Sequence, residues 1–273
     1  MSAWINGRRG AAIDYRDRGL HYGDGLFETM RVRHGAVRLL DYHLERLFVG
    51  CERLMMGPPN ARLLRRELEQ IAATRSSGVL KLIVTRGVAT RGYRPTGREK
   101  CTRIAALYPL PRTAALRIPR ALSVRLCAMR LGSNSRLAGL KTLNRLESVL
   151  ARAEWRDARI GEGLLLDSEE NIVCGTMSNL FIRRGSLLMT PMLDRCGIAG
   201  VMRRWVLEQS SALSVRAIER RLRWEDLARA EEVFMCNAVA GVMSVGQISR
   251  RGELLRPLQT DAAVQLRSRL AAL

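Results

Sequence analysis

Apolar residues recur along this chain at two periods. Leu44, Leu47, Phe48, Cys51, Leu54 and Met55 keep a 3.6-residue spacing, which predicts a helix with Asp41 as its cap. A second helix is predicted after Asn60, with Leu63, Leu64, Leu68 and Ile71 inward. Phe27, Thr29 and Arg31 alternate with Glu28, Met30 and Val32, the two-residue period of a strand entered through the paired glycines Gly23 and Gly25. Trp4–Gly7 reads as a strand entering a turn, and strands are predicted at 79–86, 103–108 and 122–131. Leu143, Leu146, Leu150 and Ala153 mark another helix. Two hairpins follow, 164–167 with 171–175 and 178–182 with 187–190. A helix opens at Cys196–Gly200 and runs to about Leu213, a strand ends at Asn237–Ala238, and a last helix over 258–270 packs on the surface. Pro109, Pro111 and Pro119 break the pattern, which reads as an interdomain linker. The predicted organisation is an α/β chain of the α+β type: an N-terminal domain over 1–108, a linker over 109–120 and a C-terminal domain over 121–273.

A chain of 273 residues with 47% hydrophobic content can bury a large core. Its apolar runs are too short to span a bilayer, and the first residues, MSAWINGRRG, lack the apolar stretch of a signal peptide. The six cysteines are scattered without a Cys-x-x-Cys pair and there are 3 histidines, so neither a disulfide framework nor a metal site is expected and a reducing cytoplasm is the economical setting. The net charge of +20 would suit a nucleic-acid binder. The arginines carrying it are spread over helices and loops, without a basic tail or aromatic-interleaved stripe, so no specific nucleic-acid partner is expected. The field favours anionic small molecules.

Almost all of that charge is arginine, and the sequence has three lysines, Lys81, Lys100 and Lys141. Arginine stays protonated and forms no Schiff base; a lysine can lose its proton and attack a carbonyl. Lys81 lies in a strand-like run where a solvent-facing side chain is expected. Lys100 lies in a charged loop. Lys141 follows the small residues Ala138 and Gly139 and precedes a helical pattern, which makes it the candidate nucleophile.

The segment Leu-Ala-Gly-Leu-Lys141-Thr-Leu-Asn-Arg-Leu-Glu resembles the catalytic-lysine segment of the fold-type IV pyridoxal-phosphate enzymes, the aminodeoxychorismate lyases in particular. Further matches run in order along nearly the whole chain. The resemblance implies a two-domain fold with the cofactor in the interdomain cleft, and a homodimer. It also implies site residues. Lys141 would carry pyridoxal 5'-phosphate, with Asn144 and Arg145 near the ring. Arg46, in His43-x-x-Arg-Leu, would reach the phosphate, and the planar guanidinium suits a bidentate grip. The amides of Val201 and Met202, after a glycine-rich entry to a helix, and the Asn237–Ala238 strand end would complete the phosphate site. Tyr22, Phe27 and Arg31 would line the substrate pocket. Arg91, in Arg-Gly-Tyr93, would clamp a substrate carboxylate with Tyr93 beside it.

One position departs from the family. Five residues before the Asn of Asn179-Leu-Phe, where the family carries a glutamate against the pyridine nitrogen, stands Cys174. Counting forward from Asp167 gives the same residue. A neutral thiol stabilises a pyridinium less than a carboxylate does, which weakens transamination more than an aromatising elimination. The expected activity is conversion of 4-amino-4-deoxychorismate to 4-aminobenzoate and pyruvate for folate synthesis. The alternatives are a class IV aminotransferase for branched-chain or D-amino acids and, from another class, a non-enzymatic basic binding module.

Overall fold

The alternating strands of the N-terminal region and the two helices with apolar stripes bury each other. In a computed structural model that describes residues 2–272 apart from 11, 90, 112–120 and 258, the chain forms two units. The first is Met1–Ala115 with Leu140–Asn144, the second Leu116–Gly139 with Arg145–Leu273. The segment bearing Lys141 therefore belongs with the first unit, whereas the sequence reading puts it in the C-terminal domain. Most of the expected linker, 112–120, lies outside the described residues.

The first unit contains β1 (Ser2–Ile5), β2 (Arg8–Arg9), α1 (Arg18–Tyr22), β3 (Gly25–Arg33), β4 (Ala36–Val37), α2 (Leu40–Arg53), α3 (Ala61–Ala73), β5 (Ser77–Thr85) and β6 (Thr102–Tyr108). The strands form one antiparallel sheet in the order β2-β1-β6-β5-β3-β4. Leu26, Met30 and Val32 of β3 and Leu80, Leu82 and Val84 of β5 form a core with Leu44 and Leu47 of α2 and Leu64 and Leu68 of α3. Because successive strand side chains point to opposite faces, Phe27, Thr29 and Arg31 are turned away from the helices.

Three local expectations need correction. Asp41 does not cap α2; Leu39, in the left-handed region at φ 56°, is the cap residue, and Asp41 sits in the first turn. Asn60 does cap α3, its side chain accepting from the Leu63 amide at 2.9 Å, but Leu63 is exposed rather than inward. The loop read before β3 contains the short helix α1. Buried Asp17 caps it, accepting from the Gly19 amide at 2.8 Å and from the Thr85 and Thr102 hydroxyls at 2.9 and 2.7 Å.

The second unit contains β7 (Leu122–Leu131), α4 (Leu146–Ala153), β8 (Ile160–Asp167), β9 (Ile172–Gly175), β10 (Asn179–Arg184), β11 (Leu187–Pro191), α5 (Val201–Glu208), β12 (Arg216–Arg220), α6 (Trp224–Ala228), β13 (Glu232–Asn237), β14 (Gly241–Arg250), β15 (Glu253–Leu255) and α7 (Asp261–Ala271). They build a mixed sheet in the order β12-β11-β10-β13-β14-β7-β8-β9, with β15 on β14. Both predicted hairpins form, β8–β9 and β10–β11. α5 ends at Glu208, and a single 3-10 turn over Ser211–Leu213 follows where a longer helix is predicted. In α7 the amides of Ala262 and Ala263 donate to the buried Glu232 carboxylate at 3.0 and 2.8 Å, which places negative charge at the helix start. α7 starts at Asp261, and Leu258, where the sequence reading starts it, lies outside the described residues.

α4 forms where the spacing predicts a helix, starting at Leu146, and turns its apolar row outward. Leu146, Val149 and Leu150, spaced on one helix face, are 76%, 60% and 58% exposed, and Ala151 is the buried residue. Among the described residues, no helix is long and apolar enough to cross a membrane.

Candidate active site

In the first unit, Lys141 is fixed by main-chain bonds to the start of β3. The Phe27 amide donates to the Lys141 carbonyl and the Leu143 amide to the Gly25 carbonyl, each at 3.0 Å, with a bridge between Leu26 and Thr142. The Lys141 ammonium lies 4.1 Å from the centroid of the Phe27 ring. Asn144 donates to the Gly23 carbonyl at 3.2 Å. Gly23 has φ 63°, and a Cβ there would stand 2.6 Å from Asn144 Oδ1, so both backbone and space require glycine.

Beneath this strand lies a buried charge cluster. Glu28 is the one residue on the helix side of β3 that is not apolar. His43 Nδ1–H donates to Glu28 Oε2 at 2.6 Å and Arg46 Nε–H donates to Oε1 at 2.8 Å, with Arg46 Nη2 also on Oε2. Burial pushes the Glu28 carboxyl up, but the Arg46 charge and the His43 hydrogen bond outweigh it and hold the carboxyl at about 2. Burial pulls His43 below the usual imidazole range despite Glu28, so it is a neutral Nδ1–H tautomer. Glu28 thus orients the Arg46 guanidinium through its Nε–Nη2 edge.

Tyr22 and Tyr93 pack with ring centroids 5.3 Å apart, and the Gly92 amide donates to the Tyr22 hydroxyl at 3.3 Å. Arg18 is buried and donates to the Asp24 carboxylate at 2.8 Å and to the Gly92 and Tyr93 carbonyls at 2.9 Å each. Arg86 holds the other side of Asp24 and the Leu54 and Met55 carbonyls. This knot pins the loop bearing Arg91 and Tyr93, both of which are exposed. Arg31 is half-buried on the open face of β3.

In the second unit, Val201 and Met202 open α5. Its cap residue, Gly200, makes no side-chain capping bond, so the first amides of the helix are left for an acceptor from elsewhere. A Cβ at Gly200 would stand 2.1 Å from Asn179 Oδ1; the side chain of Asn179 in turn donates to the Ile198 carbonyl at 2.9 Å. Asn237 accepts from the Val239 and Ala240 amides at 3.0 and 2.8 Å, which shapes the turn that contains Ala238. Cys174 is buried in β9; burial, then Cys196 and Glu162, push its thiol well above the ordinary range, while Arg145 opposes this. It is therefore a thiol and not a thiolate. Glu162, the buried carboxylate on the adjacent strand, is engaged by the amide and hydroxyl of Thr176 and by Ser178, whose hydroxyl donates at 2.7 Å.

The Amino-transferase class IV family description matches residues 25–248. The chain belongs to this family. It is 34% identical over 248 residues to an aminodeoxychorismate lyase of Vibrio harveyi, covering 90% of this chain and 91% of that protein. A putative branched-chain-amino-acid aminotransferase of Methanocaldococcus jannaschii is 30% identical over 258 residues, 92% of this chain and 89% of that one. The crystal structure of 4-amino-4-deoxychorismate lyase from Pseudomonas aeruginosa superposes with a TM-score of 0.91 at 43% identity, over 99% of this chain and 98% of that one.

Class IV enzymes work with pyridoxal 5'-phosphate. The residues present fit that group: an amine on a fixed backbone segment, an arginine braced by a carboxylate, and a helix start with uncapped amides behind a glycine. Sequence reasoning missed two features. One is the Glu28 brace, whose signal is an acid amid the apolar positions of an alternating strand. The other is Lys81, expected in solvent, which is half-buried with its ammonium 5.6 Å from the centroid of the Phe27 ring.

Glu28→Gln removes a buried charge that two basic side chains need, so it should cost about 3–5 kcal/mol in urea unfolding at pH 7. The pH dependence has a definite sign. The carboxyl of Glu28 is depressed from 4.5 to about 2, so its stabilisation is full above pH 4.5 and is lost as pH falls toward 2. His43 resists protonation, which adds a loss as pH falls below 6.5. The loss below pH 4.5 should be shallower in Glu28→Gln than in the parent; an equal slope in both would remove Glu28 from this role.

Proposed function

We propose that this protein is a pyridoxal-phosphate-dependent lyase that converts 4-amino-4-deoxychorismate to 4-aminobenzoate and pyruvate, a step of folate synthesis. The observation that carries the proposal is Lys141, an amine on a backbone segment bonded to β3, in a chain whose lyase relatives match it nearly end to end. The bound cofactor supplies an aldehyde that takes up primary amines and a ring that withdraws electrons.

Lys141 would hold the cofactor through its amine, leaving that amine free once a substrate amine is bound. Its neutral amine then takes the proton from C4 of the substrate as general base. Loss of that proton and cleavage of the C3–O bond expel the enolpyruvyl group, which leaves as pyruvate, and the ring becomes aromatic. Arg46, the Val201 and Met202 amides and the Asn237–Ala238 turn are assigned to the cofactor phosphate, with Asn144 and Arg145 near its ring. Tyr22 and Phe27 line the substrate position. Arg91, steadied by the Arg18 knot and neighbouring Tyr93, and Arg31 meet substrate carboxylates.

Cys174 is assigned to the pyridine nitrogen. A buried neutral thiol there favours the elimination, because aromatisation drives that step with little help from the ring. This supports the lyase reading over the aminotransferase reading. The fitting localisation is the cytoplasm, and no membrane or specific nucleic-acid partner is part of the proposal. The exposed row Leu146, Val149 and Leu150 supports a homodimer, since such a row on one helix face suits a second copy.

Incubation with aminodeoxychorismate in the absence of any amino acceptor should yield 4-aminobenzoate and pyruvate in equal amounts. Turnover that appears only when a keto acid is added would replace the lyase with an aminotransferase. Light scattering of the purified protein should give twice the chain mass, and Leu146→Glu with Leu150→Glu should shift it toward the monomer. A dimer indifferent to both changes would place the interface elsewhere.

A further inference from the structure

Two of the three lysines reach the same aromatic ring. Lys141 Nζ is 4.1 Å and Lys81 Nζ 5.6 Å from the centroid of Phe27. The register explains why. Thr29 pairs directly with Lys81 across β3 and β5, so Lys81 lies on the same face as Phe27, Thr29 and Arg31, and both Phe27 and Arg31 are its diagonal neighbours.

More positive charge collects on this side. Arg33 follows Arg31 on the same face of β3, and the Arg38 amide donates to the Arg31 carbonyl at 2.9 Å. Burial first, and then the charges of Arg31 and Arg33, lower Arg38 to about 10. Burial and Arg33 also lower Arg31. β3, β4 and β5 send no carboxylate to this face: their one acidic residue, Glu28, points to the helices and holds Arg46 and His43. This side of the sheet is therefore rich in positive charge, a setting that favours anionic ligands.

We propose that Lys81, with Arg31 diagonal to it, binds the ring carboxylate of the substrate, the one that remains on the aromatic product. This rests on the reading of Lys141 as the reacting amine. Of the two carboxylates of aminodeoxychorismate, the one on the ring is rigidly opposite the amine that Lys141 must meet. A rigid ligand needs a second charge at a fixed place relative to the first. Lys81 provides it, because a central strand of the sheet carries it and the Phe27 ring shares it with Lys141. Lys81 thus selects amines that carry a carboxylate across a six-membered ring.

The test uses the holoenzyme and two probes of nearly the same shape, anionic 4-aminobenzoate and neutral 4-aminobenzamide, measured by calorimetry. Lys81→Gln should weaken 4-aminobenzoate about tenfold to a hundredfold, the loss of one charge-assisted hydrogen bond, and leave 4-aminobenzamide unchanged. Lys81→Arg should bind 4-aminobenzoate within about threefold of the parent, because the charge is kept. With aminodeoxychorismate, Lys81→Gln should raise KM while kcat stays within about threefold. Equal weakening of both probes, or of neither, would overturn the assignment. If the parent protein makes no 4-aminobenzoate at all, the lyase reading fails; if it does and Lys81→Gln changes nothing, this inference alone fails.

Discussion

The buried Glu28 carboxylate sets the orientation of the strand on which the first unit depends. A charge placed among Leu26, Met30 and Val32 is tolerated only with partners, and α2 provides both, His43 and Arg46, one helical turn apart. A one-residue slip of β3 would move Glu28 to the open face and turn Phe27, Thr29 and Arg31 into the core. The ion cluster therefore fixes which side chains face outward. It also fixes the β3 backbone edge that binds Lys141 and Leu143. The chemistry assigned to Lys141 rests on a strand whose register is set by a charge on its other side.

Much of this was legible in the sequence, for physical reasons. Periods of two and 3.6 survive wherever one face is buried, so β3 and α2 stand close to where the alternation and the helical spacing put them. The α3 cap was readable because Asn at a helix start accepts an amide proton. The Asp41 cap failed because Leu39 adopts the left-handed conformation and starts the helix earlier. α1 was missed because five residues are too few to show a period. α4 was legible as a helix from the spacing of Leu146 and Leu150, but spacing says only that a face exists, not which way it turns, and here the face is exposed.

The site was legible by motif rather than by pattern. Lys141 stood out through lysine scarcity and its neighbours. Lys81 did not, because a lone charge on a strand is indistinguishable from a solvated one until the register pairs it with Thr29 and brings it to Phe27. Cys174 was read as a departure, and its burial now gives that departure a chemical form, a thiol that stays protonated. The arginine-rich composition acquires local meaning too. Arg18, Arg46 and Arg86 each brace a carboxylate or a set of carbonyls, a planar multidentate role that lysine could not fill.

The central claim is that Lys141 is the amine that holds the cofactor. Borohydride reduction of the holoenzyme, followed by proteolysis and mass mapping, tests it most directly, since reduction makes the linkage permanent without requiring turnover. The pyridoxyl group should be found on the peptide containing Lys141. Its recovery on Lys81 or Lys100 would contradict the account.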